Sequence, residues 1–584
     1  MSLRHLLRQS AALAAVLAEH TVGDPVFFGM QVSRRVPRRY AARAGRAALR
    51  LPSPVARAAG RWLTGDHDGA RDQVRAQLGR AAGRSARVFG ELALNLGMRD
   101  EAIAFAERAG RSTHADSLRA RIAWHTGDMT TAIDAASDRR LRRRLDAERT
   151  VFTPGWLPTS PTVRADSATR RRSDAISADV VFALTNSLPH TQSGYTLRTH
   201  AVLGALRDTG FAALGVTRTG YPVSVGRMSW SDRDEVDSIV YQRDIPWRQG
   251  KLLTERIGAQ GQFLADVVAA TGARALHTTT HFVNGAATRA AADALGLPWV
   301  YEVRGVLEET WAASRGTAAE RARAHRSERF RRFRERETEF ALAADRVVTL
   351  GRTMAAELER RGVPRDRIIV APNGVGDAVI HAETDAPASQ FRRENGLPAG
   401  GVWVGTAASI VGYEGLDVLV DAVITARAAG EDLRLLVIGD GVELPALRQR
   451  AAVLGDAAVF TGRLPQSRAH AMIRCLDVFA VPRRDDPVCR LVTPLKPVEA
   501  AGLGRPVVLS DLPALTEALP PAAHRTFPAG DHAALADVFV QLGADSGARA
   551  RMGRAGREFV CASRTWADVG SAYAEMYEEL GVRR

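Results

Sequence analysis

From Asp179 onward the chain alternates short apolar runs with helical stretches, and no other feature constrains its fold as tightly. The runs are VVFAL, FAALGVTR, RALHTT, WVYEVRG, DRVVTL and RIIVAPNG, followed by VWVGTAA, LRLLVIGDG, AAVFTGR, DVFAVPR and RPVVLS. Alternation of this kind predicts parallel sheets with right-handed crossovers. The series divides near Asn373. The expected fold class is α/β, with two Rossmann-like doubly wound domains over 177–372 and 373–584, the second carrying a C-terminal helix. A chain of 584 residues exceeds one hydrophobic core, since cores stop growing at roughly 250–300 residues.

Residues 1–150 read instead as helices rich in Ala, Leu and Arg. The phrases RWLTGDHDGA, LALNLGMRDEA and RIAWHTGDMTTA repeat one pattern: an apolar helix end, a glycine, a polar turn and an alanine that opens the next helix. Their glycines are Gly65, Gly97 and Gly127. Glycine supplies the left-handed cap of such a turn. The pattern resembles tetratricopeptide repeats, whose period is about 34 residues. Residues 151–176 hold Pro154, Pro158, Pro161 and the cluster Arg170 to Arg172, a linker composition.

Charge is unevenly placed. Residues 1–175 hold 31 arginines against 17 acids, whereas the rest holds 49 basic against 48 acidic groups. The basic face belongs to the N-terminal module, and suits a protein partner, a polyanionic glycan or an anionic membrane surface rather than nucleic acid. Arg-rich codon usage on solvated helices is the plainer alternative. No apolar run reaches the roughly 18 residues a membrane span needs. The first residues, MSLRHLLRQSAALAAVLAEH, read as an amphipathic helix rather than a signal peptide, because Glu19 and His20 follow the apolar stretch directly. Three cysteines, Cys475, Cys489 and Cys561, show no metal-ligand spacing and fit a reducing, cytoplasmic setting.

In open α/β sheets ligands bind beyond the carboxyl ends of the strands, so the loops after the apolar runs are the candidate site. The loop after DVFAVP reads RRDDPVCRLVTPLKPVEAAG. A helix is expected to start near Pro494 with Thr493 as its cap. Arg483, Arg484, Arg490 and Lys496 gather there, four cations suited to a diphosphate. Lys496 is one of only two lysines beside 78 arginines, which fits a need for a compact ammonium. Glu499, one turn on, is placed to accept hydrogen bonds from ribose hydroxyls. In WVYEVRG, Glu302 and Arg304 are costly inside an apolar strand end unless paired or used.

The order ADRVVTL, PNGV, YEGLDVL, VIGDG, FTGRLP, TPLKPVEAAGLGRPVV resembles the GT4-type glycosyltransferases with a GT-B fold, in particular a subset with YEGL and TPLKP patterns. The resemblance covers about residues 178–580. It implies a nucleotide-sugar donor in the second domain, a glycan or glycolipid acceptor in the first, retention at the anomeric carbon, and no metal or other cofactor. Asp485 and Asp486 are accordingly not expected to form a metal motif. Arg463 and Leu464 are implied at the base, and Gly194 and Tyr195, in HTQSGYTLRTH, at the acceptor. A histidine near the transferring carbon would be His277 or His281; with Glu302 and Arg304 these are the candidate catalytic groups. Two positions depart from the family pattern. Leu491 stands where an acid is usual, and Glu414 stands where a lysine is usual. Arg483 and Arg484 are expected to replace the lost charge. A catalytically silent scaffold using its helical repeats is the alternative function, and a sugar-nucleotide epimerase a third.

Overall fold

The computed structural model of the chain describes residues 3–23, 29–30, 38–162, 176–384 and 386–582. The expected cluster Arg170 to Arg172 and much of the linker lie outside these residues. The linker's first part is fastened to the body: Thr162 N donates to Gln262 Oε1 at 2.8 Å, and Arg336 Nη2 donates to the Trp156 carbonyl at 2.7 Å.

Two sheets form the body. The first comprises β1 (Val180–Leu184), β2 (Ala213–Thr217), β3 (Arg233–Val236), β4 (Ile239–Gln242), β5 (Ala275–Thr279), β6 (Trp299–Val303), β7 (Arg346–Thr349) and β8 (Ile368–Val370). The second comprises β9 (Val402–Ala407), β10 (Leu433–Ile438), β11 (Ala458–Gly462), β12 (Val478–Val481), β13 (Val507–Ser510) and β14 (His524–Phe527). Their orders are β3-β4-β2-β1-β5-β6-β7-β8 and β11-β10-β9-β12-β13-β14. Strands such as β1, β5, β6 and β12 are buried at every residue, because helices cover both faces of a parallel sheet. Each apolar run of the sequence is a strand. The antiparallel pair β3/β4 and the edge strand β14 are additions that the apolar pattern did not show.

The domains are joined twice. The chain leaves the first sheet through Pro372–Gly374 and returns at Thr565, where Val375 bridges it. The following helix, Trp566–Glu579, packs on the helix Gly194–Asp208 of the first domain. Its Tyr573 and Tyr577 are fully buried in a cluster with Phe182 and Phe211. The C-terminal helix thus completes the first domain, not the second.

The N-terminal region is helical. Helices Pro54–Thr64, Gly83–Asn95 and Thr113–Thr126 each pair with a successor, His67–Arg75, Arg99–Arg108 and Met129–Ala135. Gly65 and Gly127 cap the first and third in the left-handed region, at φ 90° and 89°. The last hairpin docks on the first α/β domain: Arg329 N donates to the Gly127 carbonyl at 2.9 Å, and Thr130 N to Glu328 Oε2 at 2.8 Å. The helix Leu3–Gly23 docks separately, through Gln9, which exchanges two hydrogen bonds with the Ser229 backbone at 2.6 and 2.8 Å.

Candidate active site

The loops after β9 and β12 meet at the carboxyl edge of the second sheet. The turn Gly412–Glu414 after β9 ends at Gly415, whose φ is 66°. A Cβ there would lie 1.9 Å from the Pro482 carbonyl oxygen, so only glycine allows this approach. The approach seats Glu414 beside Arg483. Arg483 donates from Nε and Nη2 to the two Glu414 oxygens at 3.3 and 3.2 Å, and from Nη1 to the Val492 carbonyl at 2.8 Å. Lys496 Nζ lies 2.8 Å from Glu414 Oε2. The ammonium and the buried carboxylate form an ion pair. Glu414 and Arg483 are 5% and 7% exposed. Burial raises the Glu414 carboxyl, but Arg483 and Lys496 outweigh it and hold it down at about 2. The cluster carries two cations and one anion, a residual positive charge in a partly dehydrated place, where it acts more strongly than in water.

Arg484 and Arg490 do not join it. Arg484 turns to Asp417 on the next helix, and Arg490 donates to Asp485 Oδ2 at 2.6 Å; both are exposed. Of the four gathered cations, Arg483 and Lys496 form the seat, and the others are neutralised on the surface. Asp486 lies 3.9 Å from Arg321 of the first domain. Thr493 is corrected too. The helix begins at Lys496, with Pro497 in its first turn and no side-chain cap. Thr493 Oγ1 donates instead to Glu517 Oε1 at 2.9 Å, while its carbonyl accepts from Asn373 Nδ2 at 3.2 Å, which ties this loop to the interdomain connection.

Glu499 is half-buried, and its Oε1 faces Gln466 and His470, each at 3.4 Å. Gln466 and His470 follow the loop that holds Arg463, exposed, and Leu464, which packs at the edge of the core. The GDG glycines serve packing. A Cβ on Gly439 would meet the Ala408 carbonyl oxygen at 1.8 Å, and one on Gly441 the Ile410 carbonyl oxygen at 2.2 Å.

On the facing side, Ser193 caps the helix Gly194–Asp208 through Thr196 N at 3.3 Å, which sets Gly194 and Tyr195 in its first turn. A Cβ at Gly194 would meet no protein atom. Tyr195 is half-exposed and within electrostatic reach of Arg304 in its own domain and Arg483 in the other. A Cβ at Gly305 would lie 3.0 Å from its hydroxyl and 3.9 Å from Val492. Tyr195, Gly305 and Val492 therefore mark where the domains face each other beside the Arg483–Lys496 seat.

The candidate catalytic groups lie deeper. His277 is fully buried, stacked on Phe182 at 4.3 Å between ring centroids, with Nδ1 2.8 Å from the Tyr577 hydroxyl and Nε2 3.4 Å from Glu302. Glu302 accepts from Arg198 Nε at 2.9 Å and Arg304 Nη2 at 2.6 Å, and its carboxyl is held well below the usual range by those two arginines against the opposing effect of burial. The network is buried, with His277 and Glu302 without exposed surface and Arg304 3% exposed. Arg304 also donates to Thr199 Oγ1 at 2.6 Å and to the Tyr195 carbonyl at 3.0 Å, so it fixes the backbone of Tyr195 from below. His281 caps the helix Phe282–Leu295, its Nδ1 accepting from Val283 N at 3.2 Å, and packs on Phe282 and Phe333. Burial pushes it down to about 3, so it is neutral. Arg198 was missed by sequence reading. It binds Glu302, the carbonyls of Ala371 and Pro372, and Asn373 Oδ1, bracing the hinge. Only the helical register of TLRTH hinted that it points inward.

Comparison with known proteins agrees with this architecture. Residues 401–545 match the family described as glycosyl transferases group 1, and residues 193–374 the glycosyl transferase 4-like domain. A phosphatidyl-myo-inositol mannosyltransferase of Mycobacterium leprae is 34% identical over 168 residues, 29% of this chain and 43% of that protein. A GDP-mannose-dependent monoacylated alpha-(1-6)-phosphatidylinositol monomannoside mannosyltransferase of Corynebacterium glutamicum is 28% identical over 201 residues, 34% of this chain and 53% of that protein. The chain thus spans about half the length of the curated relatives it matches. Among solved structures, sucrose-phosphate synthase from Thermosynechococcus elongatus superposes with a TM-score of 0.56 at 20% identity, over 69% of this chain and 98% of that one. Anabaena HepE in complex with UDP and glucose superposes with a TM-score of 0.52 at 15% identity, over 69% and 100%. With both halves of its body matched and two facing parallel-sheet domains, the chain belongs to the GT4-type glycosyltransferases of the GT-B fold.

Proposed function

We propose that the protein transfers a hexosyl group from a nucleoside-diphosphate donor to a hydroxyl of a glycan or glycolipid, with retention. The observation that carries this reading is the pairing of Arg483 and Lys496 at the strand ends, opposite Tyr195 and Gly305. The pair neutralises the diphosphate as the bond from its oxygen to the anomeric carbon breaks. The acceptor oxygen bonds to that carbon from the same face, and its proton passes to the departing phosphate oxygen. No side-chain base is then required, in keeping with the sealed positions of His277 and Glu302. Glu499 takes the ribose hydroxyls, and Leu464 with the backbone at Arg463 takes the base. The two fixed cations supply the charge stabilisation that a metal supplies elsewhere.

The acceptor is read as membrane-borne, in keeping with the lipid acceptors named for the two mannosyltransferases. No helix among the described residues is long and apolar enough to cross a membrane. The helix Leu3–Gly23 turns Gln9 to the body and leaves Leu6 and Leu7 exposed, next to the loop of Met228 and Trp230, the latter 78% exposed. We read this as a peripheral contact with an anionic, cytoplasmic membrane face, and the three helical hairpins as tetratricopeptide-like units open to a protein partner.

Thermal-shift titration with UDP and GDP tests the donor site. The wild type is expected to be stabilised by one of them and Lys496→Ala not. A wild type that responds to neither points to the silent scaffold.

A further inference from the structure

Glu414 sits where an incoming diphosphate would least favour it. Its carboxylate is ionised, 5% exposed and in contact with both cations of the seat. The ammonium beside it comes from Lys496, one of two lysines in the chain. The two side chains touch, with Nζ 2.8 Å from Oε2.

We propose that Glu414 is a positioning residue that holds the Lys496 ammonium and the Arg483 guanidinium in register for the diphosphate. The inference rests on the donor-site reading above. Arg483 spends two donors on Glu414 and one on Val492, so it is fixed along its whole edge. The Lys496 side chain is 19% exposed, and its ammonium meets Glu414 and keeps protons to spare. Its free protons are what an anion needs. Without Glu414, two cations would face each other in a poorly solvated place. The lysine, which has the only cation able to give up its proton readily, would lose it or swing away. Removing a negative charge should then weaken anion binding, the reverse of simple electrostatics.

Besides Glu414, Arg483 and the Cys489 thiol, pushed up to about 12 by burial, act on the ammonium, and the Tyr413 hydroxyl, also raised to about 12, lies within reach of Glu414 and Arg483. None of them is an anion near neutral pH. Glu414 is thus the carboxylate that keeps Lys496 charged, its effect opposing burial and the repulsion of Arg483.

The test uses the full chain and titration calorimetry with UDP and GDP. Glu414→Gln should weaken binding of the preferred nucleotide at least tenfold, and its binding should fall off toward alkaline pH earlier than in the wild type. Glu414→Asp, which keeps the charge at shorter reach, should lie between them. The exchange Glu414→Lys with Lys496→Glu should bind at least tenfold better than Lys496→Glu alone. Equal or tighter binding by Glu414→Gln, or a double variant no better than the single, overturns the proposal. If the wild type binds neither nucleotide, the donor-site reading itself falls, and this inference with it. If Glu414→Gln does not fold, the exchange variant decides.

Discussion

The Tyr577 hydroxyl and His277 Nδ1 lie 2.8 Å apart although 300 residues separate them. The contact closes the first domain with the last helix and fills the second nitrogen of a histidine whose other nitrogen faces Glu302. Burial holds His277 below its ordinary pKa, so the ring is a neutral structural link. Tyr577→Phe should therefore cost about 1–2 kcal/mol of stability, the price of one buried polar group left unpaired. Nucleotide binding should be unchanged. Urea denaturation read beside a nucleotide titration checks both; a loss of affinity at unchanged stability would give His277 a role at the site.

A second prediction concerns pH. Glu337 is buried, accepts from Phe282 N at 2.8 Å and bonds the Tyr301 hydroxyl. Burial first, and then the Glu308 carboxylate, push its carboxyl up to about 8. An unfolded glutamate titrates near ~4.3. The folded value is the higher one, so between ~4.3 and about 8 the native state binds more protons than the unfolded. Stability from this group is whole below that window and falls as pH rises through it, by up to ~1.4 kcal/mol per pH unit. Glu337→Gln removes the titration and should flatten the decline, leaving the variant more stable than the wild type at pH ~7.5 but not at pH ~4. Parallel slopes in the two proteins would contradict it.

The body of the fold was legible because parallel strands buried on both faces leave unbroken apolar runs, as in VVFAL and LRLLVI. The β3/β4 hairpin was not. Its turn residues Asp237 and Ser238 take φ 49° and 64° without a glycine to announce them, and β3 is half exposed. The seat was half legible. Lys496 stood out by type, but its partner Glu414 read as a defect, because sequence shows which charge is lost and not which neighbour restores it. Arg484 and Arg490 misled for the same reason, since Asp417 and Asp485 neutralise them in space. His277 lies in the middle of β5, and Glu302 and Arg304 at the end of β6 but inside the sheet layer, a distinction of depth that a linear pattern does not carry.

The docking helix yields a third prediction. His5, Arg8 and Gln9 of this helix turn to the protein, while Leu6 and Leu7 are exposed. Leu7 is 53% exposed and Trp230 78%. Leu7→Glu with Trp230→Ser should at least halve the fraction that sediments with vesicles rich in phosphatidylglycerol, without changing the melting temperature. If the double variant sediments like the wild type, the contact lies elsewhere.

Gly415 gives the last. It holds a left-handed φ of 66°, and a Cβ would meet the Pro482 carbonyl oxygen at 1.9 Å, a backbone atom that cannot swing aside. Gly415→Ala must therefore push the β9 loop off the β12 loop, and the displacement falls on the Glu414–Arg483 contact one residue away on each side. The conformational cost alone is about 1–2 kcal/mol. The larger effect is on the seat, where nucleotide affinity should drop tenfold or more as Arg483 and Lys496 lose their common brace. Gly412→Ala is the control in the same turn, since a Cβ there meets nothing within 4 Å. It should leave both affinity and melting temperature near the wild type. Equal behaviour of the two alanine variants would mean that the close approach at Pro482 does not set the geometry of the donor seat.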